Sequence, residues 1–407
     1  MRILTFTSLF PNARQPLHGI FVQQRVRHLA RRGHFVRVIA PVPYVPRWMP
    51  VKRWKIMADV PDKERVGELE VRHPRYPLMP RISMALHGVL MYLGCVDMVK
   101  RLHENYSFDL LDAHYVYPDG LAALLLGKRL GLPVVVTARG TDINLFPTFR
   151  LIRPQIRWAL RHAAGVISVC DALKQEMFGL GLSREKAWTI GNGIDAERFA
   201  QVPRQEARAK LNIPADAEVV VSVGALIPRK GYQFLIPAVA ALKSAHPQLQ
   251  LYVIGEGESR PALENLVGAH RVRESVFFVG SRPNEELKYW YSAADASCLA
   301  SSREGWANVL LESLACGTPP VATRVWGAPE VIVSPELGIL VDQNSQSIAQ
   351  GLDQAMKKRW DREGLARYAR TRTWDEVARE VELFLDSLIR IKHPVSANSV
   401  PEASRFV

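Results

Sequence analysis

The strongest constraint on the fold is an alternation of short β-rich runs with helical stretches, in two series. The polar, proline-containing segment 200–218 separates the two series. In the first series the β-rich runs are residues 2–7, 35–40, 109–114, 133–137, 165–169 and 187–190, with 68–72 as a predicted edge strand. In the second they are residues 219–223, 251–254, 276–279, 296–299 and 320–322. This alternation is typical of parallel α/β layers, so we predict two Rossmann-like domains facing across a cleft.

The helical stretches between the first-series strands are predicted from periodicity and flanking breakers. They are residues 19–32, 82–104, 118–130, 149–162 and 171–180. We assign residues 1–200 to the first domain and 201–369 to the second. The tail at 394–407 lacks periodicity, and we expect it to be flexible.

The positive charge is concentrated in the first half of the chain. Of the formal net charge of +13, residues 1–200 supply all, with 29 basic and 16 acidic side chains. Residues 1–58 contain 11 basic side chains and no acidic one. Such an excess suits an anionic partner, whether nucleic acid, phosphates or an anionic membrane surface, although a generally basic surface is an alternative.

The composition indicates a cytoplasmic protein. The longest apolar run, residues 82–96, is shorter than the roughly 20 residues that a membrane span needs. The four cysteines form no C-x-x-C pair and lie in apolar runs, as reduced core residues do. Neither an H-E-x-x-H nor a D-x-D motif occurs, so we predict no metal site and no cofactor.

Segment 299–321, LASSREGWANVLLESLACGTPPV, carries the strongest functional signal. Glu304 follows a strand, and Glu312 lies eight residues later in an otherwise apolar helix beginning near Ala307 or Asn308. A carboxylate in that setting needs hydrogen-bond partners, which two vicinal hydroxyls would supply. The free N–H groups at the start of the helix favour a phosphate. A capping Glu304 and a salt-bridged Glu312 remain the alternative.

Segment 219–231, VVVSVGALIPRKG, carries a second signal. Gly224 permits a tight turn after the strand, and Arg229 and Lys230 then place positive charge where a diphosphate could bind. The segment lacks the Walker A pattern. The G-x-G of residues 255–257 lacks the remaining features of a dinucleotide fingerprint, so we reject an NAD site.

Three positions in the first half are candidate ligand contacts. Gly19 suits a close backbone approach in the loop that follows the first strand. His114 and Asp142 follow the ends of two other strands, in DAHYVYPDG and ARGTD. A lone histidine at a strand end is more often a core residue than a ligand contact, so both interpretations of His114 stay open.

These motifs occur in an order that resembles the retaining glycosyltransferases of family 4, which have the GT-B fold. The matches are HGIF, DAHYVYPDG, TARGTD, GNGID, GALIPRKG and the E-x7-E pair, and the similarity runs to about residue 388. Members of that family transfer a sugar from a nucleoside-diphosphate donor without a metal ion. Their C-terminal helices return to the first domain, so the resemblance assigns residues 370–393 there.

The resemblance implies a role for each residue of the second domain. Glu304 would contact the donor sugar, Glu312 the ribose, and Arg229 with Lys230 the diphosphate. The donor-binding set is completed by Gly224, Arg282, Trp306, Ala307, Asn308 and Val309. Trp306-Ala307 stands where the family commonly has Phe-Gly, which narrows the expected sugar pocket.

The resemblance likewise implies roles in the first domain. Gly19 would let its loop approach the diphosphate, His114 would lie at the reacting sugar, and Asp142 near donor or acceptor hydroxyls. The expected catalytic residues are therefore His114, Glu304, Arg229 and Lys230.

The expected activity is sugar transfer from a UDP- or GDP-sugar to a glycan or lipid-linked acceptor at the inner membrane face. A sugar-nucleotide epimerase of related fold and a basic nucleic-acid-binding protein are the alternatives. The second lacks the interleaved aromatic or zinc motifs of such modules, and we expect no nucleic-acid partner. Segment 44–57, YVPRWMPVKRWKIM, alternates tryptophan with basic residues and predicts peripheral contact with an anionic membrane.

Overall fold

A computed structural model describes residues 1–45, 56–78 and 83–392, without the side chains of residues 390–392. The tryptophan-rich part of segment 44–57 and the tail at 394–407 lie outside the described residues. The strands are β1 (Arg2–Phe6), β2 (Phe35–Ile39), β3 (Val42–Tyr44), β4 (Lys63–Val66), β5 (Leu69–Arg72), β6 (Arg75–Pro77), β7 (Leu110–His114), β8 (Val134–Ala138), β9 (Gly165–Ser168), β10 (Ala187–Thr189), β11 (Glu218–Val223), β12 (Leu249–Ile254), β13 (Val276–Gly280), β14 (Ala296–Leu299), β15 (Pro320–Thr323) and β16 (Ile339–Val341). The α-helices are α1 (Ile20–Arg31), α2 (His87–Tyr106), α3 (Leu121–Leu130), α4 (Thr141–Asn144), α5 (Arg153–His162), α6 (Asp171–Gly179), α7 (Arg204–Leu211), α8 (Tyr232–Leu242), α9 (Arg260–Ala269), α10 (Asn284–Ala293), α11 (Asn308–Ala315), α12 (Ala328–Val331), α13 (Ser345–Lys357), α14 (Arg362–Arg370) and α15 (Trp374–Lys392).

The two series of strands form two separate sheets. The first has the order β10-β9-β8-β7-β1-β2-β5-β4 and the second the order β13-β12-β11-β14-β15-β16. All pairings in both sheets are parallel except β4 with β5. Their central strands are buried along their length, as expected for sheets covered on both faces. The chain thus has the predicted α/β class with two Rossmann-like halves.

Several predicted boundaries differ from the structure, among them the helix predicted at 82–104, which is α2 at His87–Tyr106. The run at 68–72 is not an edge strand, because β4 pairs antiparallel with β5 on its outer side. Helix α3 begins at Leu121 because Tyr117, which precedes a proline, is extended. Helix α5 begins at Arg153 with a proline in its first turn, and Phe149 is extended.

Helix α15 packs against the first sheet rather than the second. Trp374, Val381 and Phe384 share a buried apolar cluster with Val22 and Val26 of α1. The chain returns to the first sheet beside residue 194, where the N–H of Ile194 donates to the carbonyl of Arg372 at 2.9 Å. Two chain crossings, near residues 194–203 and 370–374, therefore lie side by side.

Candidate functional site

The carboxyl ends of β11 and β14 bring the two strongest sequence motifs together. The strands pair directly, although β12 and β13 intervene in the chain. Gly231 has a φ of 74°, and a Cβ there would lie 1.9 Å from the carbonyl oxygen of Ala300. Only glycine allows this approach, which sets Lys230 against the loop that follows β14.

Glu304 and the basic pair form a compact ionic cluster. Nζ of Lys230 donates to Oε1 of Glu304 at 2.8 Å, and Nη1 of Arg229 lies 3.4 Å from Oε2. Arg229 also donates to the carbonyl of Arg303 at 2.5 Å. Burial of Glu304, which is only 8% exposed, opposes ionisation, but the two cations hold its pKa below the ordinary value. The cluster is therefore an ionised carboxylate flanked by two cations.

Glu312 has a different environment, on the helix that follows. Its Oε2 accepts a hydrogen bond from Oη of Tyr291 at 3.1 Å. Burial raises its pKa to about 7, and the hydrogen bond from Tyr291 and the charges of Lys230 and Arg198 oppose this rise only in part. Glu312 and Asn308 line a small cavity together with Phe21 and Gln24 of α1. This carboxylate therefore lines a cavity that residues of the first domain also line.

The loop between Glu304 and α11 forms a close contact between the two domains. A Cβ on Gly305 would lie 2.1 Å from the carbonyl oxygen of Arg139. The ring of Trp306 packs against Gly191 and contacts the buried clusters of both domains. Ala307 is buried, and Val309 packs beside it in the second-domain core. The Trp-Ala pair thus serves the domain interface as well as the expected pocket.

Gly224 and Arg282 occupy the remaining strand ends of the second domain. A Cβ on Gly224 would come within 3.3 Å of the Lys230 side chain, so the glycine leaves room for that lysine. Arg282 follows β13 and pairs loosely with Glu286 at 3.9 Å, on an exposed surface. The structure brings Gly224 into the ionic cluster but leaves Arg282 outside it.

Gly19 caps the start of α1 with a φ of 66°. A Cβ there would lie 2.3 Å from the carbonyl oxygen of Leu9, so the glycine allows the loop to fold back on itself. The same loop is held by Asp119, which accepts hydrogen bonds from the backbone and hydroxyl of Ser8. Burial raises the pKa of Asp119 to about 7.

His114 is fully buried rather than exposed to the cleft. Its Nδ1 faces Nη2 of Arg139 at 2.6 Å and its Nε2 faces Asp112 at 3.2 Å. Burial lowers its pKa to about 3, which outweighs the opposing effect of Asp112, so the ring is neutral. His114 thus has no exposed surface in this structure and contacts Arg139 and Asp112, and its place at the reacting sugar stays a prediction.

Asp142 is also fully buried. Its carboxylate accepts hydrogen bonds from the backbone N–H groups of Val116, Arg139 and Gly140 at 2.8 to 3.3 Å. These bonds occupy both oxygens, so Asp142 orders the loop that follows β8. Its expected place near donor or acceptor hydroxyls stays a prediction.

Arg139 is a central residue that sequence reasoning missed. Its Nη1 donates to Oδ1 of Asn192 at 2.8 Å, and Asn192 in turn contacts Oδ1 of Asn308 at 3.0 Å. Its guanidinium also lies 5.2 Å from the ring centroid of Phe21. The signal was present, since Arg139 directly follows a predicted strand, but its partners come from distant parts of the chain.

A buried ion pair between Arg25 and Asp112 lies next to this network. Arg25 of α1 donates to Oδ1 of Asp112 at 3.0 Å and to Oγ1 of Thr137 at 2.8 Å. Arg25 and His114 lower the pKa of Asp112 to about 2, against the effect of burial. Within the described ranges, no group of three or more His, Cys, Asp or Glu side chains is placed to hold a metal ion.

Comparisons with known proteins agree with this architecture. The "Glycosyltransferase Family 4" model matches residues 19–198, and the "Glycosyl transferases group 1" model matches residues 203–372. Sucrose-phosphate synthase from Thermosynechococcus elongatus superposes with a TM-score of 0.77, at 22% identity, over 96% of this chain and 100% of that one. The HepE protein of Anabaena in complex with UDP gives 0.71, at 19% identity, over 95% and 100%.

Two curated relatives are similar over most of their length. A putative teichuronic acid biosynthesis glycosyltransferase, TuaC of Bacillus subtilis, is 26% identical, over 86% of this chain and 88% of its own. A D-inositol 3-phosphate glycosyltransferase of Thermobispora bispora is 29% identical, over 76% and 78%. The fold and the matches define the class of the protein: it is a glycosyltransferase of the GT-B fold. Within that class the chain belongs to glycosyltransferase family 4.

Proposed function

We propose that the protein transfers a sugar, with retention of anomeric configuration, from a UDP- or GDP-sugar to a hydroxyl group of a glycan or lipid-linked acceptor. The observation that carries the proposal is the contact of Lys230 and Arg229 with Glu304 at the joined ends of β11 and β14. A nucleoside-diphosphate sugar has both partners that such a cluster needs. Its diphosphate suits the cations, and its sugar hydroxyls suit the carboxylate.

In the reaction, the bond between the anomeric carbon and the diphosphate oxygen breaks and a bond to the acceptor oxygen forms. Negative charge grows on the departing diphosphate. Lys230 and Arg229 stabilise that charge, and the N–H groups at the start of α11 add a favourable dipole. We infer that these groups neutralise the diphosphate without a metal ion, which predicts turnover in excess chelator.

Glu312 supports the nucleotide half of the donor. Its oxygens face a cavity between the domains, and the side chain of Asn308 lies one helical turn before it. Ribose hydroxyls donating to this carboxylate would stabilise its ionised form and offset the burial that now raises its pKa. We therefore assign Glu312 to the ribose and Glu304 to the sugar.

The acceptor side belongs to the first domain. Its basic excess favours an anionic or lipid-linked acceptor, consistent with a cytoplasmic enzyme that acts at the inner membrane face. Relatives with such acceptors include a GDP-mannose-dependent phosphatidylinositol monomannoside mannosyltransferase of Mycolicibacterium smegmatis, 27% identical over 76% of this chain and 79% of its own. We propose a role in cell-surface polysaccharide or glycolipid synthesis.

A donor screen with two matched variants tests the proposal. Thermal shift and turnover are measured with UDP-, GDP- and ADP-sugars for the wild type, Glu304→Gln and Glu312→Gln. We expect Glu304→Gln mainly to lower kcat, since the sugar changes charge at the transition state. We expect Glu312→Gln mainly to weaken binding of the free nucleoside diphosphate. Absence of binding to every donor, or two variants that match the wild type, would refute the proposal.

A further inference from the structure

An apolar strip lies exposed at the start of α2. Leu86, Val89 and Leu93 are 57%, 39% and 58% exposed, and their spacing of three and four residues puts them on one face of the helix. Met84 extends the strip at 37% exposure. Residues 83–96 contain no Lys, Arg, Asp or Glu side chain.

A second exposed segment continues this surface. Leu151 is 71% exposed and Phe149 is 38% exposed, just before α5. Nε2 of Gln155 donates to the carbonyls of both Ala85 and Leu151 at 2.8 Å, which fixes this segment beside the start of α2. The two apolar segments therefore form one surface, which we call the α2–α5 face.

Four exposed arginines lie in and just after the second apolar segment. Arg153, Arg157 and Arg161 recur every four residues along one exposed stripe of α5, and exposed Arg150 precedes them. Residues 143–170 hold these four arginines and no acidic side chain. None of the four forms an ion pair with the described acidic residues. An apolar centre with an unpaired basic border suits one partner chemistry, an anionic lipid surface.

The α2–α5 face lies next to the strand ends of the first sheet. Phe146, in the turn before it, contacts the rings of Tyr115 and Tyr117, which directly follow β7. Oη of Tyr117 donates to the carbonyl of Met84. This hydrogen bond links the apolar strip to Tyr117, three residues after His114 at the end of β7. A bilayer on this face would place its headgroup region near the cleft.

We propose that the α2–α5 face binds anionic bilayers reversibly, with its leucines at the acyl boundary and its arginines on the headgroups. The inference deepens the proposed function, on which it rests for the claim that the acceptor is presented by a membrane lipid. Among the described residues no helix has both the length and the apolar character to cross a bilayer. The α2–α5 face would contact the surface of the bilayer without crossing it.

Vesicle co-sedimentation of the full chain tests the proposal. The probes are phosphatidylglycerol–phosphatidylcholine vesicles and pure phosphatidylcholine vesicles. We expect the wild type to pellet with the anionic vesicles only. The arginine variant Arg150→Gln/Arg153→Gln/Arg157→Gln should partition about a hundredfold less, since each basic residue near an anionic leaflet contributes about fivefold. The leucine variant Leu86→Ser/Leu93→Ser/Leu151→Ser should also lose pelleting.

Matched controls come from other exposed surfaces. Arg359→Gln/Arg367→Gln/Arg370→Gln removes the same charge from exposed positions of the second domain. Val333→Ser/Leu383→Ser removes apolar side chains that are 61% and 53% exposed elsewhere. Both controls should pellet like the wild type. If the arginine control loses as much binding as the arginine variant, net charge rather than this face drives association and the proposal is wrong.

The remaining outcomes separate the inference from the proposed function. Pelleting that survives the leucine variant would indicate a general polyanion site and overturn the membrane proposal. So would equal pelleting with neutral vesicles, or none with either. Donor binding, measured without vesicles, should be unchanged in both α2–α5 variants. Its absence in the wild type would refute the proposed function instead, whatever the vesicles show.

Discussion

Nη2 of Arg139 lies 2.6 Å from Nδ1 of His114, while Nη1 of the same guanidinium donates to Asn192 at 2.8 Å. Asn192 contacts Asn308, the first residue of α11, at 3.0 Å. A continuous polar path therefore joins the buried end of β7 in the first domain to the helix that carries Glu312 in the second. The residue that links the two halves of the candidate site is Arg139.

Replacing Arg139 with Gln should weaken both the fold and the site. The variant loses charge-assisted contacts with His114 and Asn192, each of which contributes about 1.5–3 kcal/mol when a charged partner is involved. We expect the free energy of unfolding to fall by about 1–3 kcal/mol and kcat/KM to fall at least about tenfold. Arg129→Gln, at an exposed position of the same domain, is the control. Equal behaviour of the two variants would remove Arg139 from the site.

Replacing Lys230 with Ala should reduce kcat/KM by about 10- to 150-fold. The expected loss corresponds to the roughly 1.5–3 kcal/mol of a charge-assisted contact to the diphosphate. Lys357→Ala is a matched control, because Lys357 also contacts a carboxylate, that of Asp353, at 2.8 Å, but on the far surface. Steady-state kinetics on both folded variants measure this effect. If kcat/KM of Lys230→Ala equals that of the wild type, the diphosphate does not bind at Lys230.

The raised pKa of Glu312 predicts a pH-dependent stability. The native state keeps a proton up to about pH 7, whereas the unfolded chain loses it near pH 4.5. The contribution of Glu312 to stability is therefore greatest below about pH 4.5, falls as the pH rises to about 7, and is level above that. Glu312→Gln should remove this decline, which is of order 1–3 kcal/mol in the free energy of unfolding.

Denaturant unfolding of the wild type and Glu312→Gln between pH 4 and 8 measures this effect. Asp119, whose pKa is also raised to about 7, adds a parallel decline to both proteins. The difference between the two curves therefore isolates Glu312. A difference that does not change with pH would show that the pKa of Glu312 is the same in the folded and unfolded states.

Adding a methyl group at Gly305 should hold the domains apart. The new Cβ would lie 2.1 Å from the carbonyl of Arg139, which only a shift of the backbone can relieve. We expect Gly305→Ala to keep its secondary structure by circular dichroism, to increase the radius of gyration in small-angle scattering, and to lower kcat/KM. Gly179→Ala, where a Cβ meets no atom within 4 Å, is the control. An unchanged radius of gyration would mean that the interface accommodates the methyl group without separating the domains.

The positions of Glu304, Arg229 and Lys230 were predictable, because each lies in the loop that follows a strand in a parallel α/β pattern. Ligand sites of such sheets lie at the carboxyl ends of strands. The assignment of β5 as an edge strand was wrong, because β4 pairs with its outer side. The short β4 alternates between exposed and partly exposed residues, and only its pairing with β5 reveals that it is the edge strand. The contacts of the buried His114 and Asp142 were not deducible, since Arg139 reaches His114 from the loop after β8 and Val116 reaches Asp142 from the loop after β7.

The sequence by itself determined the two α/β series, the charge asymmetry and the order of motifs that marks the family. These features depend on local periodicity and on spacing along the chain. The tertiary structure alone decided that β11 lies beside β14, that Gly305 contacts Arg139, and that Arg139 joins His114 to Asn192. The reason is physical: strand order and domain contact depend on interactions between residues tens to hundreds of positions apart, which local periodicity does not encode.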